Sequence, residues 1–263
     1  MSFNLELLRK RVRPFRLHYF PRLRSTNDHA ARLRRAKQLF APSIVLASHQ
    51  LAGRGRGANR WWSNEKSLTL TFVLPIAEHL QPQQIPLLAG LAVRNALEEV
   101  SGIHSIQLKW PNDLLHADCK LAGLLCERVQ NADLIGVGVN VNQAPKQLPA
   151  NLRKQSVSLS QLTGVPLDMS AVVIALARHV HIRLSRHNDH HFGAVLREYD
   201  RYHALVGRRI AVSRDAARTD GNQGLAGVCV GLDASGRLLV RDRSATLHRI
   251  VAGHVALVQS SHR

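Results

Sequence analysis

Alternation between apolar and polar residues predicts a series of strands in the first part of the chain. Residues 67–74 (SLTLTFVL) alternate with a period of two, which is typical of a half-buried strand. Other segments rich in apolar and β-branched residues predict further strands at residues 14–20, 43–48, 106–110, 120–129 and 133–141. Together these segments predict a β-sheet.

Apolar residues spaced three or four positions apart predict helices between these strands. The segment from Ser25 to Asp28 (STND) provides capping residues ahead of one such pattern, and residues 87–100 form an amphipathic segment that ends near Gly102. Two more helices are predicted at residues 170–186 and 192–202. The order of elements predicts an α+β fold, in which a mixed β-sheet carries helices on one side.

The pattern changes after residue 204. Residues 207–258 consist of short β-type runs (RRIAVS, LAGVCVGL, RLLVRD, LHRIVA and VALV) separated by glycine or charged turns. Such runs are typical of a small β-barrel. We therefore predict two domains, residues 1–204 and residues 205–263.

The charge is strongly positive. The chain contains 36 Lys and Arg residues but 18 Asp and Glu residues, which gives a formal net charge of +18. Such a surface attracts polyanions and acidic proteins. Nucleic-acid binding is therefore an alternative function from another class. However, the arginines near the N-terminus lie within segments that have their own apolar pattern, and no nucleic-acid-binding motif is present. We expect no specific DNA binding.

The cysteines and the lengths of the apolar runs indicate where in the cell we expect the protein. Cys119, Cys126 and Cys229 do not have the spacing of metal ligands, and we expect them to be reduced thiols in a cytoplasmic protein. No apolar run approaches the length that crosses a bilayer, and residues 1–13 lack the apolar stretch of a secretory signal. We expect no membrane association and no metal site formed by the protein alone.

The loop from Gln50 to Trp62 (QLAGRGRGANRWW) contains the first candidate for a binding site. Its alternating glycines allow the backbone to approach a ligand closely, and the arginines between them supply positive charge. Trp61 and Trp62 offer flat surfaces to a planar ring. Phosphate and aromatic contacts together indicate a nucleotide, although RNA-binding loops and simple turns use similar residues.

Two further segments carry candidate ligand contacts. Lys109 and Lys120 lie at the ends of two predicted strands that we expect to pair, on either side of a Pro-Asn-Asp turn, and both ammonium groups are expected to face one cavity. In residues 135–142 (IGVGVNVN), valines and isoleucine share one face of a strand, whereas glycines and asparagines share the other. A ligand that lies flat against the sheet would explain why the second face lacks bulky side chains, and so would a tight corner of a barrel.

These segments resemble the biotin–protein ligase family. The resemblance rests on Ser-Thr-Asn, Gln-x-Ala-Gly-Arg-Gly-Arg, Lys-Trp-Pro-Asn-Asp, Lys-Leu-Ala-Gly and Gly-Val-Gly-Val-Asn, in this order. It implies a catalytic domain of the class II synthetase-like type, followed by an SH3-like barrel. Lipoate ligases and octanoyltransferases share the catalytic fold but not the Lys-Trp-Pro-Asn-Asp run, and they are the alternative within this fold.

The resemblance implies that biotin and Mg-ATP form biotinyl-adenylate and pyrophosphate, and that a lysine of a carboxylase's biotin acceptor domain then takes the biotin. Magnesium is expected to arrive with ATP. The residues implied in biotin binding are Ser25, Thr26, Gln50, Gly53, Arg54, Lys120 and Gly123. Those implied in ATP or adenylate binding are Arg56, Trp61, Lys109, Asn112 and Asn140. The implied catalytic residues are Lys120, Arg54 and Asp113.

The chain departs from the family pattern at two places. Gly57, Ala58 and Asn59 stand where the family often has arginines, so we expect the loop to hold the adenylate less tightly. Some bacterial members carry an N-terminal helix-turn-helix domain, but here the catalytic pattern begins by Phe15. We therefore expect a monofunctional ligase without repressor activity. A homodimer is compatible with the sequence, and the positive surface is expected to steer an acidic acceptor domain.

Overall fold

The computed structural model describes residues 3–185, 192–213 and 224–258. Nine strands occupy its larger part: β1 (Arg16–Leu23), β2 (Ser43–Gln50), β3 (Gly53–Arg54), β4 (Arg60–Trp61), β5 (Ser67–Pro75), β6 (Gln107–Lys109), β7 (Asp113–His116), β8 (Cys119–Val129) and β9 (Ala132–Asn140). Seven of them form a mixed sheet in the order β1-β2-β5-β9-β8-β7-β6, in which β1 and β2 are parallel. The remaining two, β3 and β4, form a short hairpin.

Six α-helices lie in the described ranges: α1 (Leu5–Arg11), α2 (Thr26–Arg35), α3 (Ile85–Ser101), α4 (Leu159–Thr163), α5 (Met169–Ser185) and α6 (Phe192–Arg201). The Ser25 side chain accepts a hydrogen bond from Asp28 N and caps α2, as its sequence predicts. Gly102 ends α3 with a φ of 70°. The predicted C-terminal residue of α5, Arg186, lies outside the described residues. No helix of the described part is long and apolar enough to cross a membrane.

The α+β class is confirmed, and both faces of the large sheet are covered. Ile44 and Leu46 belong to the main hydrophobic cluster, which includes the buried faces of α3 and α5. Val45 points to the opposite face and packs in a smaller cluster with Ala30 of α2. Most helices therefore lie on one side of the sheet, as predicted, while α2 covers part of the other side.

Several short elements do not follow from the sequence pattern. The segment around Asp113 was predicted as a turn, but Asp113–His116 forms β7 between β6 and β8. The lysine-bearing strands β6 and β8 are therefore not paired with each other, contrary to the prediction. The hairpin β3–β4 and the helices α1 and α4 were not predicted either, because elements of two to seven residues leave almost no periodicity in a sequence.

A second, antiparallel sheet follows, with the strands β10 (Arg209–Ser213), β11 (Leu225–Leu232), β12 (Leu238–Arg241), β13 (Leu247–Ile250) and β14 (His254–Leu257). Its order is β13-β12-β11-β10-β14. These strands coincide with the five predicted runs and are consistent with an SH3-like barrel. Ile210 and Leu238 belong to the same hydrophobic cluster as Leu108, so the two sheets share a continuous core. The domain boundary at residue 205 stays a prediction.

The small sheet is also fixed to the Lys-Trp-Pro-Asn-Asp segment by polar contacts. Trp110 is 2% exposed, and its Nε1 donates a hydrogen bond of 3.1 Å to the carbonyl oxygen of Gly236. Arg208 binds both carboxylate oxygens of Asp118, at 2.6 and 2.9 Å, in the turn between β7 and β8. These contacts hold the strands that carry Lys109 and Lys120 against the barrel.

Candidate functional site

Two adjoining pockets contain most of the predicted site residues. The first, which we call the inner pocket, has an empty volume of about 420 Å³. It lies among the start of α2, the end of β2, the β3–β4 hairpin and the central strands β8 and β9. It is lined by Ser25, Thr26, Asn27, Gln50, Arg54, Gly55, Trp61, Asn112, Lys120, Gly123, Leu124, Leu125, Gly136, Val137 and Gly138.

The second, which we call the outer pocket, has an empty volume of about 410 Å³ and lies between the large sheet and the barrel. Asn112 and Lys120 line both pockets. Lys120 therefore stands at the junction between them. The outer pocket is lined by Arg56, Asn59, Lys109, Trp110, Pro111, Asn112, Asp113, Lys120, Gly253, His254 and Val255.

A network of buried hydrogen bonds forms the floor of the inner pocket. Gln50 Oε1 accepts hydrogen bonds from the backbone N and from Oγ1 of Thr26, at 2.6 and 3.0 Å. Thr71 Oγ1 lies 2.9 Å from Thr26 Oγ1 and donates to Asn27 Oδ1 at 2.6 Å. Asn27 in turn donates to Glu127 Oε2 at 2.8 Å. Mutually satisfied polar groups of this kind hold one another in fixed orientations.

Three members of this network, Asn27, Thr71 and Glu127, were not among the predicted site residues. Asn27 belongs to the Ser-Thr-Asn segment, but its position suggested only a helix start. A signal for Thr71 was present in the sequence, because Ser67, Thr69 and Thr71 form a polar face on a strand that proves to be central. A polar face on a fully buried strand indicates a binding site or a polar network.

The guanidinium of Arg54 is held by two carboxylates at the edge of the inner pocket. Its Nε lies 2.8 Å from Asp28 Oδ1, and its Nη2 lies 2.7 Å from Glu127 Oε2. Burial opposes the charged form, but the hydrogen bond and charge of Glu127, together with Asp28, raise the pKa of Arg54. Arg54 therefore stays charged, with its guanidinium held between Asp28 and Glu127.

Lys120 is positioned by its neighbours on three strands. Its Nζ lies 2.7 Å from Asp113 Oδ1 on β7 and 5.6 Å from the centroid of the Trp61 ring. A Cβ on Gly123 would come within 3.1 Å of the same Nζ, so the absence of a side chain there makes room for the ammonium group. The structure thus brings together Lys120, Asp113 and Gly123, which are all among the predicted site residues.

The glycine face of β9 is occupied by protein side chains. A Cβ on Gly138 would lie 2.3 Å from Trp61 Cε2, and a Cβ on Gly136 would lie 2.3 Å from Asn27 Oδ1. The glycines therefore admit Asn27 and the Trp61 indole, whereas the sequence suggested either a ligand lying on the strand or a tight corner of a barrel. Trp61 Nε1 is buried, and no hydrogen-bond partner reaches it among the described residues. The Trp61 residue also lines the inner pocket.

The outer pocket is cationic. Burial lowers the pKa of Lys109, and the charge of Lys120 lowers it further, although Asp113 opposes both effects. Burial also lowers the pKa of Arg56, again against the effect of Asp113. Asp113 is the single carboxylate among the described residues that line the two pockets. The excess of cations suits a polyphosphate, whose negative charge would offset their mutual repulsion.

Two predicted contact residues lie outside both pockets. Asn140 is 5% exposed, and its Nδ2 donates a hydrogen bond of 3.0 Å to the carbonyl oxygen of Lys120. Gly53 lines a separate pocket with His49 and Trp62. A Cβ on Gly53 would lie 2.6 Å from the carbonyl oxygen of Trp61, so glycine is needed there to close the β3–β4 hairpin. Both residues therefore stabilise segments that carry pocket residues, without lining either pocket themselves.

No group of three or more His, Cys, Asp or Glu with metal-binding geometry occurs in the described ranges. The polar side chains that line the two pockets are mainly hydrogen-bond donors and cations. The inner pocket can hold a polar molecule with few charges, and the outer pocket can hold a polyanion. Lys120 can contact oxygens of both ligands where they meet.

Comparisons with known proteins agree with this arrangement. A model of the "Biotin/lipoate A/B protein ligase family" matches residues 19–143. The bifunctional ligase/repressor BirA of Bacillus subtilis is 33% identical over 208 residues, which cover 75% of this chain and 61% of that protein. The chain therefore spans about three fifths of that relative. The biotin–[acetyl-CoA-carboxylase] ligase of Paracoccus denitrificans is 30% identical over 225 residues, which cover 82% of this chain and 90% of that protein.

Solved structures have the same fold. The biotin protein ligase from Aquifex aeolicus in complex with biotin and ATP has a TM-score of 0.80 and 25% identity, and the match covers 93% of this chain and 99% of that one. The Leishmania major biotin protein ligase bound to biotinyl-5-AMP has a TM-score of 0.63 at 23% identity and agrees in fold. The sequence motifs, the Paracoccus relative and the fold lead to one conclusion: this chain belongs to the biotin–protein ligase family.

Proposed function

We propose that this chain is a biotin–protein ligase, which activates biotin with ATP and transfers it to a lysine of a carboxylase's acceptor domain. The observation that carries the proposal is the position of Lys120 at the junction of a polar inner pocket and a cationic outer pocket. A carboxylate in one pocket and a phosphate in the other would both lie within reach of its ammonium group. The matching family and the ligands in the Aquifex structure support this assignment of the pockets.

In the first step a biotin carboxylate oxygen attacks the α-phosphorus of ATP, and the bond to the leaving pyrophosphate breaks. No covalent bond to the protein is needed, so the residues act by positioning and by neutralising charge. Ser25, Thr26 and Gln50 hold biotin in the inner pocket, with Arg54 at its carboxylate end. Lys120 stabilises the charge that moves from the carboxylate to the phosphate.

The outer pocket binds the phosphates of ATP in this proposal. Lys109 and Arg56 neutralise the pyrophosphate as it leaves. Trp61 and Asn112, which line the inner pocket, border the adenine. Asn140 contributes by holding the backbone of Lys120. Magnesium enters as part of the substrate Mg-ATP, and Asp113 is the carboxylate that the pocket offers it.

In the second step the ε-amine of the acceptor lysine attacks the activated carbonyl, loses a proton, and AMP leaves. The acceptor domain is proposed to be acidic, in agreement with the net charge of +18 on this chain. We also propose a cytoplasmic location, which the three free cysteines support. The absence of operator binding, and of repressor activity, stays a prediction.

The test is the exchange of labelled pyrophosphate into ATP, with biotin, lipoate or octanoate offered separately. We expect exchange with biotin alone, and its loss in Lys120→Ala. Lys146→Ala, an exposed lysine outside both pockets, is the matched control and should exchange normally. Exchange with lipoate or octanoate would assign a different acid to the same fold, and no exchange with any acid would refute the proposal.

A further inference from the structure

The loop that joins β3 and β4 is held by the barrel. Arg56 Nη1 donates a hydrogen bond of 3.3 Å to the carbonyl oxygen of Gly253. Asn59 Nδ2 lies 3.4 Å from Nδ1 of His254, the first residue of β14. The loop and β14 are almost two hundred residues apart in the chain, yet both line the outer pocket. The barrel is therefore one wall of the proposed phosphate site.

Two of the three positions at which the chain departs from the family pattern, Gly57 and Asn59, lie beside His254. Gly57 has a φ of 60°, and a Cβ on it would lie 3.4 Å from His254 Nε2. The small residue at 57 and the short amide at 59 leave space in which the imidazole lies against the loop. An arginine at position 57 would meet both a strained backbone and the His254 ring.

We propose that His254 is a positioning residue, which holds the glycine-rich loop over the outer pocket at the positions where the family pattern often has arginines. This inference rests on the proposed function, and it changes one earlier expectation. The missing arginines need not loosen the loop, because the contact with the barrel replaces them. Retention of biotinyl-adenylate then depends on a residue of the small sheet, far from the loop in sequence.

The test is the rate at which preformed biotinyl-adenylate dissociates from the enzyme. His254→Ala removes one hydrogen bond and its packing against the loop, so we expect release to become about five- to tenfold faster. The KM for ATP should rise by a similar factor, while the kcat of transfer to the acceptor stays within about twofold. His254→Gln, whose amide can still pair with Asn59, should restore part of the retention.

Two further variants separate positioning from general damage to the barrel. Asn59→Ala removes the same contact from the loop side, and its effect should not add to that of His254→Ala. His248→Ala removes a barrel histidine on β13, at the opposite edge of the small sheet, and should release the adenylate at the wild-type rate. Trypsin should cleave after Arg54, Arg56 or Arg60 faster in His254→Ala than in His248→Ala.

The outcomes distinguish this inference from the proposed function. If the wild-type enzyme forms no biotinyl-adenylate, the proposed function fails. If it forms the adenylate but His254→Ala and Asn59→Ala release it at the wild-type rate, the function stands and the role of His254 is refuted. Equal effects of His254→Ala and His248→Ala would also refute it, because they would indicate a general weakening of the barrel.

Discussion

The ammonium group of Lys120 lies 2.7 Å from the carboxylate of Asp113, on the neighbouring strand β7. This pair depends on an irregularity in the strand register. Asp113 faces Gly123 across the ladder, but Leu115 faces Lys120, so the register shifts between Leu114 and Leu115. In a regular strand, residues 120 and 123 would point to opposite faces. The bulge brings the Lys120 side chain to the side of Gly123, where it meets Asp113.

Asp113→Asn is expected to reduce the rate of biotin adenylation about tenfold, because the Lys120 ammonium loses the partner that fixes its position. The change should fall mainly on kcat. Since the pair is partly exposed, the free energy of unfolding should change by less than about 1 kcal/mol. Steady-state adenylation kinetics and urea unfolding test both statements. Glu78→Gln, which removes an exposed carboxylate elsewhere, serves as the control. An unchanged kcat in Asp113→Asn would contradict the role of Asp113 in positioning Lys120.

Gly138→Ala is expected to displace Trp61, because the new Cβ would lie 2.3 Å from its ring. The KM for ATP should rise at least about tenfold, since base stacking on an aromatic ring contributes about 1–3 kcal/mol. Tryptophan fluorescence and ATP titration provide the measurements. Gly193→Ala in α6 is the matched control, and it should bind ATP normally and be slightly more stable. Normal ATP affinity in Gly138→Ala would show that Trp61 does not contact the nucleotide.

His203 is expected to make stability dependent on pH. Its side chain is fully buried, neither ring nitrogen has a hydrogen-bond partner, and burial lowers its pKa from 6.5 to about 4. The unfolded chain therefore binds a proton between these two values that the folded chain does not. Stability is complete above pH 6.5 and falls as the pH drops toward 4, by about 3 kcal/mol in total.

Urea unfolding of the wild type and of His203→Leu at pH 7.5 and pH 5.0 isolates this effect from that of the other histidines. The wild type should lose about 2 kcal/mol more than the variant over this interval. At pH 7.5 the two proteins should differ little, because the imidazole forms no hydrogen bond that leucine would break. Equal losses would mean that His203 is protonated in the folded protein.

The transfer of biotin to its acceptor is expected to slow as salt is added. The net charge of +18 should attract an acidic acceptor domain, and salt screens exposed charges over about 10 Å at 0.1 M. Single-turnover transfer from preformed biotinyl-adenylate, measured from about 20 to about 500 mM salt, over which the screening length falls about fivefold, tests this steering. A free amine such as hydroxylamine, offered as the acceptor in parallel, should show no such dependence. If the rate of transfer to the protein acceptor does not change with salt, electrostatic steering of the acceptor is refuted.

Much of this protein follows from local sequence. The strand at 67–74 and the five runs of the small sheet appear in the structure where the sequence predicts them. The expectation that residues 67–74 are half-buried is wrong, because helices cover both sides of the large sheet and both faces of this strand are buried. The candidate site could also be predicted from the sequence, since Lys120, Asp113 and the glycine-rich loop lie in short motifs whose residue types suit one chemistry.

Other features were decided only by tertiary structure. The bulge beside Leu115, the Trp61 ring on Gly138 and the contact of Asn59 with His254 each join segments whose relative register no local pattern specifies. The same holds for Thr71, whose hydroxyl reaches Thr26 and Asn27 only because α2 packs over β5. The sequence by itself predicted which segments form strands and helices and, through the family motifs, which residues are candidates for binding. Folding decided which of them meet, because pairing between distant strands depends on the packing of the whole core.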